Sequence, residues 1–166
     1  IAAGFLDQNN QASLVTAPAS AGKPEVSVWE LSGKRLIRVH RFGTDSASRR
    51  EGLSLAIANT DGAGPGQIIV TASAGKRPPQ VRVYSPIGVI DAEFLAEKKN
   101  FTGGFILGGG DLQTFDNRAE VVLSPVSGSQ AKVLIFSIQG ASSQKIRVFT
   151  PYGSQRIGLN VAVGHL

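Results

Sequence analysis

Side chains that could carry out catalysis are few and widely separated in this sequence. The chain has two histidines, His40 and His165, and no cysteine. His40 lies in an alternating, strand-like segment, which favours a surface or cross-strand position. Asp91 and Glu93 are typical of a solvated strand edge. A Ser-His-Asp triad assembled in space stays open, but no G-x-S-x-G motif is present. The sequence therefore favours a protein that is not an enzyme.

Acidic residues recur in three short segments rich in glycine or side-chain amides. Asp7 lies in the segment 5–10, Asn59 and Asp61 lie in 59–64, and Asp111 and Asp116 lie in 111–117. Because Ca²⁺ takes about six to eight oxygen ligands, one or two carboxylates make a weak calcium site. The alternative is a set of β-turns in which Asn and Asp accept hydrogen bonds from their own backbone. If a metal binds, Asp111 and Asp116 are the expected leading ligands.

Three aromatic residues share one position of an internal repeat. Trp29 ends the segment EVSVW, Tyr84 ends QVRVY, and Phe136 ends KVLIF. An aromatic at a fixed repeat position is expected to pack in the core. The alternative is a shallow site in each repeat on which a sugar ring stacks. Trp29 is the best candidate for such a site, because its indole N–H can also donate a hydrogen bond.

The repeat itself spans the whole chain. The segment SLVTAPASAGKPEVSVWELSGK (13–34) aligns with IIVTASAGKRPPQVRVYSPIGV (68–89), with Thr16 placed on Thr71, and more weakly with EVVLSPVSGSQAKVLIFSIQGA (120–141). Each copy then carries a strand containing Phe, a glycine turn and a strand of small residues. The turn glycines Gly52, Gly104 and Gly158 mark the period. Such periodicity predicts a repeat architecture.

Each repeat unit predicts four short strands. The alternation has period two, and Gly, Pro and Ser fill the turns. We expect an all-β fold of β-propeller blades. It would have about three four-stranded blades in one domain (1–52, 53–104 and 105–158) and an extra inner strand at 159–166. The glycines of NFTGGFILGGGD (100–111) let inner strands converge closely.

Composition narrows the possible partners. The net charge is +5, but the pairs Arg49-Arg50, Lys76-Arg77 and Lys98-Lys99 are dispersed among turn residues. We therefore expect no nucleic-acid partner, since phosphate backbones are bound by clustered cations. No apolar run reaches the roughly 18 residues of a membrane span. The absence of cysteine does not decide the compartment.

Two segments resemble one known family. NFTGGFILGGGDLQTFDNRAEVVLSP (100–125) and LAIANTDGAGPGQIIVTASAGKRPPQVRVY (55–84) are similar to the bacterial form of the FG-GAP, integrin-α-like propeller repeat. The resemblance implies a calcium loop between the first two strands of a blade. The loops of this chain depart from that pattern, because they carry only one or two carboxylates each.

The resemblance implies a non-enzymatic binding or scaffold module of an extracellular or cell-surface protein, with a protein or glycan ligand. The alternative is a carbohydrate-binding propeller, and an enzyme with residues on the propeller axis ranks last. Three blades are fewer than the usual four to eight. We expect either a slice of a longer array, which is slightly favoured, or a partial ring completed by identical chains.

Overall fold

The computed structural model describes residues 1–9, 11–44, 51–74, 78–113 and 116–164. Within these ranges the chain forms twelve strands and no helix. The strands are β1 (Ala2–Phe5), β2 (Ala12–Thr16), β3 (Glu25–Ser32), β4 (Arg35–Gly43), β5 (Leu53–Ala58), β6 (Gln67–Ala72), β7 (Gln80–Tyr84), β8 (Ile90–Leu95), β9 (Phe105–Gly110), β10 (Glu120–Pro125), β11 (Val133–Gln139) and β12 (Ser142–Phe149). The prediction of an all-β chain is confirmed. His165, Arg49-Arg50 and Lys76-Arg77 lie outside the described residues.

The strands form three antiparallel sheets of four strands each. Sheet 1 has the order β1-β2-β3-β4, sheet 2 the order β5-β6-β7-β8, and sheet 3 the order β9-β10-β11-β12. Within each sheet, consecutive strands are therefore neighbours, as expected when short turns join alternating segments. Each sheet lies within one of the three repeat units 1–52, 53–104 and 105–158.

The same β-bulge recurs in all three sheets, at the predicted aromatic position. The pairing shifts by one residue between Val28 and Trp29 in sheet 1 and between Val83 and Tyr84 in sheet 2. It shifts likewise between Ile135 and Phe136 in sheet 3. The extra residue lies in the fourth strand of each sheet, at Val39, Asp91 and Ile146, so each bulge stands opposite the aromatic residue of the third strand.

The predicted alignment of the second strands is wrong by one residue. Thr16 pairs with Ser27 in sheet 1, whereas the corresponding partner in sheet 2, Arg82, pairs with Val70. Thr16 therefore corresponds to Val70 and not to Thr71. Alignment by residue identity followed the Thr-Ala dipeptide, but a shift of one residue along a strand reverses which side chains face the core.

The sheets pack face to face in chain order. One buried cluster joins Val15, Val26 and Val28 of sheet 1 to Ile68 and Tyr84 of sheet 2. A second cluster joins sheets 2 and 3, and its members include Ile69, Val81, Val83, Phe105, Leu123 and Phe136. The two valines at alternate positions of β7 therefore face sheet 3, whereas Tyr84, beyond the bulge, faces sheet 1. Sheet 2 is consequently apolar on both faces.

The first strands of the three sheets lie side by side, with β5 in contact with both β1 and β9. A Cβ built on Gly4 would lie 2.8 Å from Ile57 Cγ2, and one built on Gly109 would lie 2.7 Å from the Ala58 Cβ. Each junction between first strands thus has glycine on at least one side. The expectation that small residues allow close approach of these strands agrees with this packing.

The segment 158–164 lies against β9 but has no ladder partner among the described residues. A Cβ on Gly110 would overlap Val163, much as one on Gly4 would overlap Ile57. The segment therefore occupies the place of a further first strand. The sequence predicted a terminal strand at 159–166, but the described part of it, 159–164, has no strand assignment. The physical reason is that a strand needs a neighbouring strand to accept its backbone hydrogen bonds.

Candidate functional site at the ends of the first strands

The three first strands end around one open cavity of about 510 Å³, here called the strand-end cavity. Phe5 is the last residue of β1, Asn59 follows β5, and Asp111 follows β9. Asn117 and the small residues of the strand ends complete the lining. Because the strands carry alanine and glycine at this end, the polar groups come from the loops. Phe5 is 55% exposed, so an aromatic ring is available to a ligand there.

The predicted acidic residues all accept hydrogen bonds within their own loops. Asp7 Oδ1 accepts the N–H of Asn9 at 2.9 Å, and Asp61 Oδ1 accepts that of Ala63 at 2.7 Å. Asp111 Oδ1 accepts the N–H of Gln113 at 3.1 Å. These short-range bonds are those of Asx turns, in which the side chain replaces a backbone acceptor.

Two further residues of the predicted metal set behave in the same way. Asn59 Oδ1 accepts the N–H of Gly62 at 2.9 Å, and Asp116 Oδ1 accepts that of Arg118 at 3.2 Å. Among the described residues no group of three or more His, Asp or Glu side chains could hold a metal ion. A calcium ion takes about six to eight oxygen ligands, and each of these loops supplies one or two carboxylates.

Two buried residues that the sequence analysis missed hold the loops in place. The Thr60 N–H donates to Gln67 Oε1 at 2.7 Å, and the Leu112 N–H donates to Glu120 Oε2 at 2.8 Å. Gln67 and Glu120 each begin the second strand of a sheet. Their signal in the sequence was a long polar side chain directly before a run of apolar residues, at the same place in two repeats.

Glu120 is fully buried, and its second oxygen is also used. Gln113 Nε2 donates to Glu120 Oε1 at 2.7 Å. In sheet 2, Gln67 Nε2 donates to Asp61 Oδ2 at 2.7 Å. Each loop is thus fixed by a side chain that reaches back from the following strand, which keeps the wall of the cavity in a defined shape.

Asp91 and Glu93 differ in their surroundings although they are close in the sequence. Glu93 forms an ion pair with Arg82 on the neighbouring strand. Asp91 lies within the bulged pairing of β7 with β8. Partial burial, and to a lesser degree the nearby Asp61 carboxylate, raises the pKa of Asp91 above the usual range of an aspartate.

The three repeated aromatics do not have the same accessibility. Tyr84 is 2% exposed and packs on Phe42, and Phe136 is 3% exposed and packs on Phe94. A saccharide cannot reach either ring, so in this structure both are packing residues between sheets. Trp29 is half-buried and belongs to neither of the two buried clusters that join the sheets. Its Nε1–H donates to Thr16 Oγ1 at 2.8 Å.

His40 pairs with Val28 across the β3–β4 ladder and is exposed, as is Lys98-Lys99. No other histidine lies among the described residues. None of the described segments is a helix long and apolar enough to span a membrane.

Comparison with known proteins gives a fold and no family. No family model matches the sequence, and no curated protein matches it. Among solved structures, the chain is similar to a rhamnogalacturonan lyase, PL11, of Bacillus licheniformis, with a TM-score of 0.60 and 14% sequence identity. The match covers 91% of this chain and 34% of the lyase chain. The chain thus spans about a third of the length of that protein, and the likeness concerns the fold alone.

Proposed function

We propose that the chain is a non-enzymatic binding or scaffold module built from propeller-type blades, and that it belongs to an extracellular or cell-surface protein. The observation that carries the proposal is the strand-end cavity. It is concave, it lies where three loops meet, and hydrogen bonds to Gln67 and Glu120 support two of these loops. Rigid loops on a sheet scaffold are a common way to present a binding surface.

The chemistry of the cavity favours binding over catalysis. Its ionisable lining residue, Asp111, uses Oδ1 to hold its own turn. Phe5 offers an exposed ring, and Asn59 and Asn117 offer amide groups at the rim. An apolar ring beside a few polar groups is the usual composition of a ligand pocket. A polar ligand with a flat face, from a protein or a glycan, matches this lining.

Carbohydrate binding is the second candidate, and two observations favour it. Trp29 is half-buried, whereas the other two repeated aromatics, Tyr84 and Phe136, are buried. The structural neighbour is named for its action on rhamnogalacturonan. At 14% identity the neighbour's lyase activity does not transfer to this chain, because function depends on site residues and not on the fold.

The proposal also includes partners that extend the array of sheets, either further blades of a longer chain or identical chains. Phe149 of β12 is 46% exposed, although the corresponding Phe42 and Phe94 each pack on the next sheet. Light scattering with calcium and then with chelator tests this part. A mass of twice the chain supports identical chains, and a monomer favours further blades in one polypeptide. A mass that changes on chelation would revive Asp111 and Asp116 as calcium ligands.

A binding panel of immobilised glycans and purified extracellular proteins tests the proposed function. We expect a ligand whose binding is lost in Phe5→Ala and Asn59→Ala but is kept in Leu36→Ala, which removes an exposed apolar side chain on a distant strand. Binding that all three variants retain would exclude the strand-end cavity as the site. Binding lost only in Trp29→Ala would favour the second candidate.

A further inference from the structure

The outer face of sheet 1 differs in chemistry from the corresponding faces of the other sheets. Thr16 pairs with Ser27 on this face. The corresponding pairs are Val70 with Arg82 in sheet 2 and Leu123 with Leu134 in sheet 3. Val70 and Leu123 are buried against a preceding sheet. Thr16 therefore carries a hydroxyl group where sheets 2 and 3 carry the buried apolar side chains Val70 and Leu123.

A groove of about 400 Å³ lies on this face beside Trp29, here called the sheet 1 groove. Three cations line it, Lys23, Arg38 and Arg41, together with one carboxylate, Glu25. Arg41 forms an ion pair with Glu25. The two remaining cations give the groove a positive charge. Glu25 is the one carboxylate among the described lining residues, and it pairs with Arg41 rather than with Lys23 or Arg38. An anionic ligand would therefore balance the charges of Lys23 and Arg38.

Trp29 orients one of these cations. The Arg38 guanidinium lies over the indole, 5.6 Å from the ring centroid. A guanidinium within about 6 Å of an indole centroid is attracted to the face of the ring. The indole itself is held by the hydrogen bond to Thr16. The contact with Trp29 restrains Arg38 at the groove, and a guanidinium can donate two parallel hydrogen bonds to a carboxylate.

We propose that the sheet 1 groove binds an acidic saccharide chain, with Arg38 and Lys23 holding its carboxylates and Thr16, Ser27 and Glu25 contacting its hydroxyl groups. The proposal rests on the carbohydrate-binding candidate for the function and adds the ligand class. The mixed lining favours a saccharide over a nucleic acid. Glu25 can accept a hydrogen bond from a sugar hydroxyl, and the hydroxyl groups of Thr16 and Ser27 lie in the same lining, so the groove matches a ligand that carries hydroxyl groups beside its carboxylates.

The single tryptophan of the chain makes the test direct. Trp29 fluorescence is titrated with an oligogalacturonate, with a neutral gluco-oligosaccharide of equal length and with a single-stranded oligonucleotide. We expect a saturable change with the acidic oligosaccharide alone, weakened by salt because exposed charge pairs are screened. Arg38→Gln and Lys23→Gln should each weaken binding about tenfold, as expected for one charge-assisted hydrogen bond.

Lys145→Gln is the matched control. Lys145 lies over Phe136 at 5.4 Å, in the same repeat position as Arg38, but on sheet 3. We expect Lys145→Gln to leave binding unchanged, and circular dichroism is used to check that every variant is folded.

Equal binding of the neutral sugar, tighter binding of the oligonucleotide, or no effect of Arg38→Gln would each overturn the proposal. A glycan that binds on the array with no change in Trp29 fluorescence would overturn this groove but keep the carbohydrate function. An array without any glycan signal would overturn both.

Discussion

The ring of Phe42 in β4 packs against the ring of Tyr84 in β7, with 5.0 Å between ring centroids and 40° between ring planes. One repeat later, Phe94 in β8 packs against Phe136 in β11 at 4.9 Å and 40°. The contact therefore joins the fourth strand of one sheet to the third strand of the next, twice and with nearly the same geometry. These ring contacts help to join neighbouring sheets at their third and fourth strands.

Phe94→Ala should lower the free energy of unfolding by about 3 kcal/mol, the lower end of the range for removing a packed phenylalanine. The side chain loses contact with Phe136 and leaves a cavity between sheets 2 and 3. Urea unfolding followed by circular dichroism measures the change. Phe149→Ala is the matched control, because Phe149 has the same repeat position but is 46% exposed. A cost for Phe149→Ala as large as that for Phe94→Ala would show that the stacking contact is not the source of the effect.

Gly104→Ala should cost about 2 kcal/mol or more. Gly104 has a φ of +70°, and a Cβ there would overlap the backbone of Ser73, which directly follows β6 of sheet 2. A side chain would thus meet both backbone strain and a clash that a flexible group cannot relieve. Gly43→Ala serves as the comparison, since nothing lies within 4 Å of a Cβ at Gly43. Thermal unfolding of the two variants decides the matter, and equal melting temperatures would contradict this account of Gly104.

The sequence predicted the strands and their grouping well, because alternation and turn residues are local signals. The turns at Gly33, Gly88 and Gly140 all fall between the third and fourth strands, and all three glycines have positive φ. The placement of Gly4 and Gly110 at close junctions also follows from the repeat. These features depend on residues near in sequence or on a period that can be read directly.

The contacts between sheets could not be predicted in the same way. The bulge opposite Trp29 depends on the β3–β4 pairing, and the residues of the local segment EVSVW do not predict it. The polar face around Thr16 became evident only after the register placed Thr16 opposite Ser27. The role of Glu120 was missed because its partners, Leu112 and Gln113, precede it by a whole loop. Register and burial decide these properties, and both are set by the tertiary structure.

Glu120→Gln should change the free energy of unfolding by less than about 1 kcal/mol, whereas Glu120→Ala should cost about 2 kcal/mol or more. Gln67 performs the corresponding task in sheet 2 with an amide oxygen, so an amide can still accept the Leu112 N–H. Alanine removes the acceptor and leaves a buried donor unpaired. Urea unfolding of both variants provides the measurement. A glutamine variant as unstable as the alanine variant would mean that the negative charge itself is required.

Asp91 should make stability depend on pH. Because burial and the Asp61 carboxylate raise the pKa of Asp91, the folded protein holds this proton to a higher pH than the unfolded chain does. The free energy of unfolding therefore falls as pH rises from the usual pKa of an aspartate through the raised value, and the stabilising contribution lies at the acidic end.

Asp91→Asn should remove this dependence. At neutral pH we expect the free energy of unfolding of the Asp91→Asn variant to exceed that of the parent protein by up to about 0.5 kcal/mol, as is typical of exposed sites. Below the usual pKa of an aspartate, the two proteins should be equally stable. Carbon NMR titration of the Asp91 carboxyl checks the premise, and a midpoint at or below the usual pKa of an aspartate would refute it. In Asp61→Asn the midpoint should move part of the way back, since the smaller of the two causes has been removed.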